Sequence, residues 1–196
     1  MINSNLESLR SDLKQYADIF DRLYNRGELK YCSTQRLILD LGINFKSKID
    51  SPLSGKPKEC YKNCFQNLTG SRRTNDNLHY CEGFATHEGL GLIIAHAWLV
   101  NGQGEVIDPT WRDPQSFINP IYFGVVFNWE FVMEVAAQTK MYGVLDNDRA
   151  IEYEFKRLGL PSNALVESRE AIKPRPSQLE RSVRLSPHYA PELLGG

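Results

Sequence analysis

A chain of 196 residues is long enough for one good core with appendages. Apolar residues make up 41% and charged residues 24%, and 23 basic against 24 acidic residues leave a formal net charge of −1. That balance argues against a general nucleic-acid or membrane-surface role, and no apolar stretch approaches the length of a membrane span. The opening M-I-N-S-N-L-E-S-L-R-S-D-L-K-Q has neither a basic start nor an apolar signal core. A cytoplasmic location is therefore expected, and with it free thiols at Cys32, Cys60, Cys64 and Cys81.

In chain order, residues 5–26 place Leu6, Leu9, Leu13, Tyr16, Ala17, Phe20, Leu23 and Tyr24 at three- and four-residue steps. This spacing predicts an amphipathic helix that stops near Gly27. Residues 33–41 predict a second helix, capped by Ser33 or Thr34 and ended by Gly42. Residues 46–58 contain S-P-L-S-G-K-P and read as an irregular surface connection. Residues 58–68, K-E-C-Y-K-N-C-F-Q-N-L, read as a helix that begins at or near Cys60, followed by a polar loop through R-R-T-N-D at 72–76. A strand is expected over 78–86, with Leu78, Tyr80, Glu82 and Phe84 on one side and His79, Cys81 and Gly83 on the other. A hairpin over 92–110 and a strand over 121–127 follow. Helices are expected over 128–141, ended by Tyr142-Gly143, and over 146–158, capped by Asp146 or Asn147. The fold class is thus α+β: N-terminal helices and a central helix packed on an antiparallel sheet, with residues 1–160 as one domain. Pro161, Pro174, Pro176, Pro187 and Pro191 puncture a polar segment, so 161–196 reads as a Pro-rich extended tail. It ends E-L-L-G-G, letters that ubiquitin-like proteins also present; with no compact domain of that kind before it, Leu194-Gly195-Gly196 is expected to be an ordinary terminus.

The hairpin carries the most informative residues. If Asn101-Gly102-Gln103 form a three-residue loop, Val100 faces Gly104, Trp98 faces Val106, and His96 faces Asp108 on the same side of the sheet. Directly opposed Cβ atoms lie about 5 Å apart, close enough for imidazole and carboxylate to hydrogen-bond. A four-residue loop would turn Asp108 to the other face. Gly104 suits the left-handed residue that closes a three-residue loop. Cys60, after a Pro/Gly loop and at a helix start, sits where unpaired N–H groups and the helix dipole favour a thiolate. A cysteine nucleophile needs such a setting, a base, and a group to orient the base, and Cys60, His96 and Asp108 supply the three in order.

The block from Cys60 through Y80-C-E-G-F-A to H96-A-W and D108-P-T-W resembles the core of transglutaminase-like, papain-type cysteine enzymes. The resemblance covers about residues 58–112 and implies a papain-like core, a catalytic region of about 58–127, and a Cys60–His96–Asp108 triad. It implies acyl transfer through a thioester, with hydrolysis of an amide, peptide or isopeptide bond as the default and capture by an amine as the alternative. A protein or peptide substrate is expected, with no cofactor, no nucleic acid and no membrane partner. The oxyanion hole would use backbone N–H groups at Cys60 and Tyr61, or the Asn63 side chain, with Tyr31 and Gln35 as upstream alternatives. Trp98, Trp111 and Trp129 are expected in the core or in a cleft wall.

Competing readings exist for each residue. Cys64 and Cys81 read as small core residues; Cys32 keeps a lesser claim as nucleophile. Taken singly, His96 would be a core histidine and Asp108 a turn former before Pro109. Cys60, Cys64, His79 and Cys81 are a soft-ligand set for zinc, although no C-x-x-C pair accompanies them. A non-catalytic binding protein on the same scaffold is the rival from another class.

Overall fold

A computed structural model describes residues 2–24, 27–45, 48–71 and 77–166. The 72–76 loop and the tail beyond 166 lie outside the described residues. Six strands, β1 (Ile43–Asn44), β2 (Lys48–Ile49), β3 (Leu78–Glu88), β4 (Ile94–Asn101), β5 (Val106–Ile107) and β6 (Ile118–Phe127), form one sheet in the order β1-β6-β3-β4-β5-β2. The sheet is mixed rather than antiparallel, because β2 runs parallel to β5 while the other pairings are antiparallel. β2 lies within the segment expected to be irregular. Two residues are too few to display alternation, and their place is set by the partner strand rather than by their own pattern.

Both faces of the sheet are covered, which is why β3 is buried continuously from Tyr80 to Ala85. On one face, Tyr80, Phe84, Ala97, Leu99, Phe123, Val125 and Phe127 meet the helices α1 (Ile2–Tyr24), α2 (Thr34–Leu41), α3 (Cys60–Ser71) and α4 (Trp129–Thr139). The helices contribute Leu9 and Leu13, Leu37 and Ile38, Cys64 and Leu68, and Phe131, Val132 and Val135. On the other face, Cys81, Trp98, Val100, Val106, Trp111, Tyr122 and Val126 form a second cluster, closed by Phe45, Leu90 and Phe117 from the loops. The side assignment expected for β3 is the one observed: Cys81 pairs with Trp98 and Gly83 with His96.

The first helix uses only part of its apolar stripe. Leu9, Leu13 and Ala17 are buried, whereas Tyr16, Leu23 and Tyr24 are exposed. Ser33 caps α2 by accepting from Arg36 N at 3.1 Å, and Asn128 caps α4 by accepting from Glu130 N. The single helix expected over 146–158 is instead a 3₁₀ turn (Asp148–Ile151) and a short helix, α5 (Glu154–Leu158). Glu152 and Tyr153 between them take left-handed φ values of 55° and 58°. Asp148 accepts from Phe155 N at 3.2 Å and pairs with Lys156 at 2.6 Å, so its carboxylate serves the start of α5. Asn147 turns its amide back to the carbonyls of Tyr142 and Gly143 and does not cap a helix.

The domain also extends past residue 160. Asn128 N donates to Ala164 O at 2.8 Å, Leu165 bridges Phe127, and Val166 N donates to Val126 O at 3.0 Å. Ala164 is fully buried. Residues 164–166 therefore lie along β6, and the boundary expected at 160–161 moves to at least 166. Small residues with one backbone partner leave little periodic signal, so a composition shift placed the boundary too early.

Candidate functional site

The hairpin closes differently from its expected register, yet it still brings the pair together. Asn101 N donates to Glu105 O at 3.1 Å, so the loop is Gly102-Gln103-Gly104, with Gly104 at φ +77°. Leu99 then pairs with Ile107 and Val100 with Val106, a shift of two residues from the expected pairing. A two-residue shift keeps every side chain on its face, whereas a one-residue shift would not. Asp108 consequently stays on the His96 side, diagonal to it rather than directly opposite. Pairing ends at Ile107, the chain turns at D-P-T, and His96 Nε2 meets Asp108 Oδ2 at 2.8 Å.

Four hydrogen bonds hold the Asp108 carboxylate. Oδ1 accepts from Thr110 N at 2.8 Å and Trp111 N at 3.0 Å, which is the turn-forming role expected of an Asp-Pro pair. Oδ2 accepts from His96 Nε2 and, at 2.9 Å, from the Tyr122 hydroxyl. Both His96 and Asp108 are buried. Burial pushes the Asp108 carboxyl up, but the His96 ring and the two backbone donors outweigh it and hold the carboxyl below its ordinary 3.8. Burial alone would lower the His96 pKa, but Asp108 and the Cys60 sulfur outweigh it and raise the ring from 6.5 to about 9. Trp111 stacks on the imidazole with centroids 4.4 Å apart and planes 19° apart, so the ring is fixed in orientation as well as in charge.

Cys60 is the first residue of α3, which packs across β3 and β4. Asn63 N bonds back to Glu59 O at 2.8 Å, so the helix starts there and its first-turn N–H groups lack intrahelical acceptors. The chain enters α3 through a turn closed by Glu59 N and Lys56 O at 3.3 Å, with Lys58 in the left-handed region at φ 66°. A lysine there is strained, and the strain lies two residues before the thiol. The Cys60 thiol is half-buried, and its sulfur lies close enough to the His96 ring to help raise the ring's pKa. Nε2 is committed to Asp108, which leaves Nδ1 as the ring nitrogen available to a thiol. The structure thus brings Cys60 beside the buried His96–Asp108 pair.

The remaining expected residues divide. Asn63 is no oxyanion donor: its Nδ2 group gives its hydrogens to Lys56 O at 2.7 Å and Thr110 Oγ1 at 2.9 Å, and Oδ1 accepts from Lys56 N at 3.0 Å. It ties the loop before Cys60 to the turn after Asp108, and Gly55 is required beneath it, since a Cβ there would fall 2.2 Å from the Asn63 amide carbon. Trp98 is not a cleft wall: it is fully buried, edge-on to Phe45 at 5.0 Å. Tyr31 donates its hydroxyl to Asp40 at 2.6 Å. Tyr61 and Gln35 do line a cavity of about 160 Å³, together with Thr34, Glu82, Gly83, Phe84, Ala95, Leu145 and Asp146. Cys64 and Cys81 lie in the cores on opposite faces of the sheet. All four cysteines are free thiols. Among the described residues no group of three or more His, Cys, Asp or Glu side chains is arranged to hold a metal ion, and no helix is long and apolar enough to cross a membrane.

Two residues escaped the sequence reading. Tyr122 sits in the run I-Y-F-G-V-V-F, where a phenol amid apolar neighbours signals a buried hydroxyl in need of an acceptor. Glu82 was placed on the apolar side of β3, and a carboxylate there is itself a signal. It accepts from Tyr80 Oη at 2.8 Å, Val144 N at 2.6 Å and Leu145 N at 2.8 Å, and burial raises it from 4.5 to about 7 against those three donors. Comparison of the chain with family models, with curated proteins and with solved structures returned no match.

Proposed function

We propose that this protein is a cysteine-dependent acyl-transfer enzyme of transglutaminase-like type, acting in the cytoplasm on amide, peptide or isopeptide bonds. The observation that carries the reading is the buried His96–Asp108 hydrogen bond with the Cys60 sulfur close enough to the ring to help hold it protonated near neutral pH. A structural histidine needs a partner for its nitrogens, but it does not need a half-buried thiol at a helix start on one side and a fourfold-bonded carboxylate on the other.

In the proposed cycle the Cys60 thiolate attacks the carbonyl carbon, forming the C–S bond and moving the carbonyl π electrons onto oxygen. First-turn N–H groups of α3, at Cys60 and Tyr61, stabilise that oxyanion. Collapse breaks the C–N bond while imidazolium His96 gives its proton to the departing nitrogen. Water then attacks the thioester, neutral His96 takes its proton, and the acid leaves with Cys60 restored as thiolate. Asp108 holds the ring in the tautomer and orientation both steps need. Hydrolysis is the simpler outcome because an amine acceptor would require a second binding site.

The test is direct acylation. Incubation with a p-nitrophenyl ester should give a burst of nitrophenolate and a mass increase confined to the Cys60 peptide, absent in Cys60→Ala. Equal nitrophenolate release from Cys60→Ala, or modification spread over other residues, would overturn the assignment.

A further inference from the structure

The cavity beside the candidate nucleophile has a definite chemical character. Tyr61 is the residue after Cys60 and Ala95 the residue before His96, so two of its walls adjoin the reacting groups. At about 160 Å³ it has room for one side chain rather than for a folded ligand. Among the described residues, its ionisable lining residues other than Tyr61 are two carboxylates, Glu82 from β3 and Asp146 from the segment after α4, with no lysine or arginine. Thr34 and Gln35 add neutral acceptors, Tyr61 and Phe84 aromatic surface.

Resting on the acyl-transfer reading above, we propose that this cavity takes a basic side chain, that of a lysine- or arginine-like residue supplying the acyl group to Cys60. A carboxylate offers about four lone-pair sites. Glu82 Oε1 already accepts from Tyr80 and Val144, while Oε2 accepts, among the described residues, from Leu145 alone, leaving acceptor capacity on a residue that lines the cavity. Asp146 is exposed. The cavity also meets the first residues of α2, whose dipole contributes about half a positive charge. That is less than the charge of the two carboxylates when both are ionised, so the balance favours a cation. The same carboxylates disfavour an acidic side chain, and a neutral one of equal length gains only the apolar contact.

The experiment uses p-nitrophenyl esters of N-acetyl-lysine, N-acetyl-norleucine and N-acetyl-glutamate with the full chain at pH 8, where lysine is charged and Glu82 is mostly ionised. The readout is the second-order rate of acylation at Cys60, located by peptide mass spectrometry. The lysine ester should react at least about tenfold faster than norleucine, the ratio one charge-assisted hydrogen bond supplies. Glutamate should be slowest. Asp146→Asn should reduce the lysine-to-norleucine ratio and Asp146→Lys should reverse the preference toward glutamate. This surface position is chosen because Glu82 also holds Val144 and Leu145. If all three esters acylate Cys60 equally, or the ratio ignores Asp146, the pocket assignment falls and the acyl-transfer reading stands. If none acylates Cys60, the reading falls and the pocket assignment with it.

Discussion

The charge on His96 makes stability a reporter of the site. In the folded protein the ring holds its proton up to about pH 9, against 6.5 in the unfolded chain. A group raised on folding contributes stability that is complete below the unfolded value and is lost as pH rises through the folded value. The difference, roughly two to three pH units at ~1.4 kcal/mol each, makes that contribution about 3 kcal/mol. Asp108, lowered on folding, works in the opposite sense, its share present above 3.8 and lost as acid is added. His96→Gln keeps a donor for Asp108 but removes the titration. Urea unfolding of both proteins across about pH 6 to 9.5 should show the wild-type advantage shrinking by about 3 kcal/mol, with Glu82 titrating alike in both and cancelling in the difference. The His96 Cε1 proton followed by NMR should titrate near 9. A difference that does not vary with pH, or a ring that titrates near 6.5, would refute the reasoning.

Other consequences can be measured the same way. Glu82 is raised from 4.5 to about 7, so its contribution is complete below 4.5 and is lost through 7; relative to Glu82→Gln, the wild type should lose about 3 kcal/mol between those values, read from urea midpoints. Asn63→Ala strips partners from both polar groups of the Lys56 backbone and from Thr110 and should cost about 1–3 kcal/mol; an unchanged midpoint would show that the amide does not hold the two loops. Gly124→Ala would put a Cβ 2.2 Å from Glu82 O and 2.8 Å from the Trp98 ring, so the sheet must open there, and thermal unfolding should show a loss of about 1–3 kcal/mol or more.

What could be read from the residues alone was whatever depends on periodicity and face. Leu9 and Leu13, the Ser33 cap, the helix start at Cys60 and the two sides of β3 follow from spacing and cap chemistry. The His96–Asp108 contact survived a wrong register because the error was two residues and the side-chain period is two. What escaped is tertiary in origin. The break at Glu152-Tyr153 comes from Asp148 reaching seven residues on to Phe155 N, which no local propensity reveals. The parallel pairing of β2, the packing of residues 164–166 on β6 and the capture of Asn63 by Lys56 and Thr110 each depend on segments far apart in sequence. Asn63 in particular looked like a donor free for an oxyanion only while its neighbours were unknown.

The central claim is that Cys60 and His96 act as a pair, and cysteine alkylation tests it most directly. Each of the four thiols would be followed by peptide mass spectrometry after brief exposure to iodoacetamide near pH 6, in wild type and in His96→Gln. Burial raises Cys64 and Cys81 well above their ordinary range and raises Cys32 as well, so those three should react slowly. The account predicts that Cys60 reacts fastest and that its lead disappears in His96→Gln. A Cys60 that reacts no faster than Cys32, or that keeps its rate without the imidazole, would contradict it.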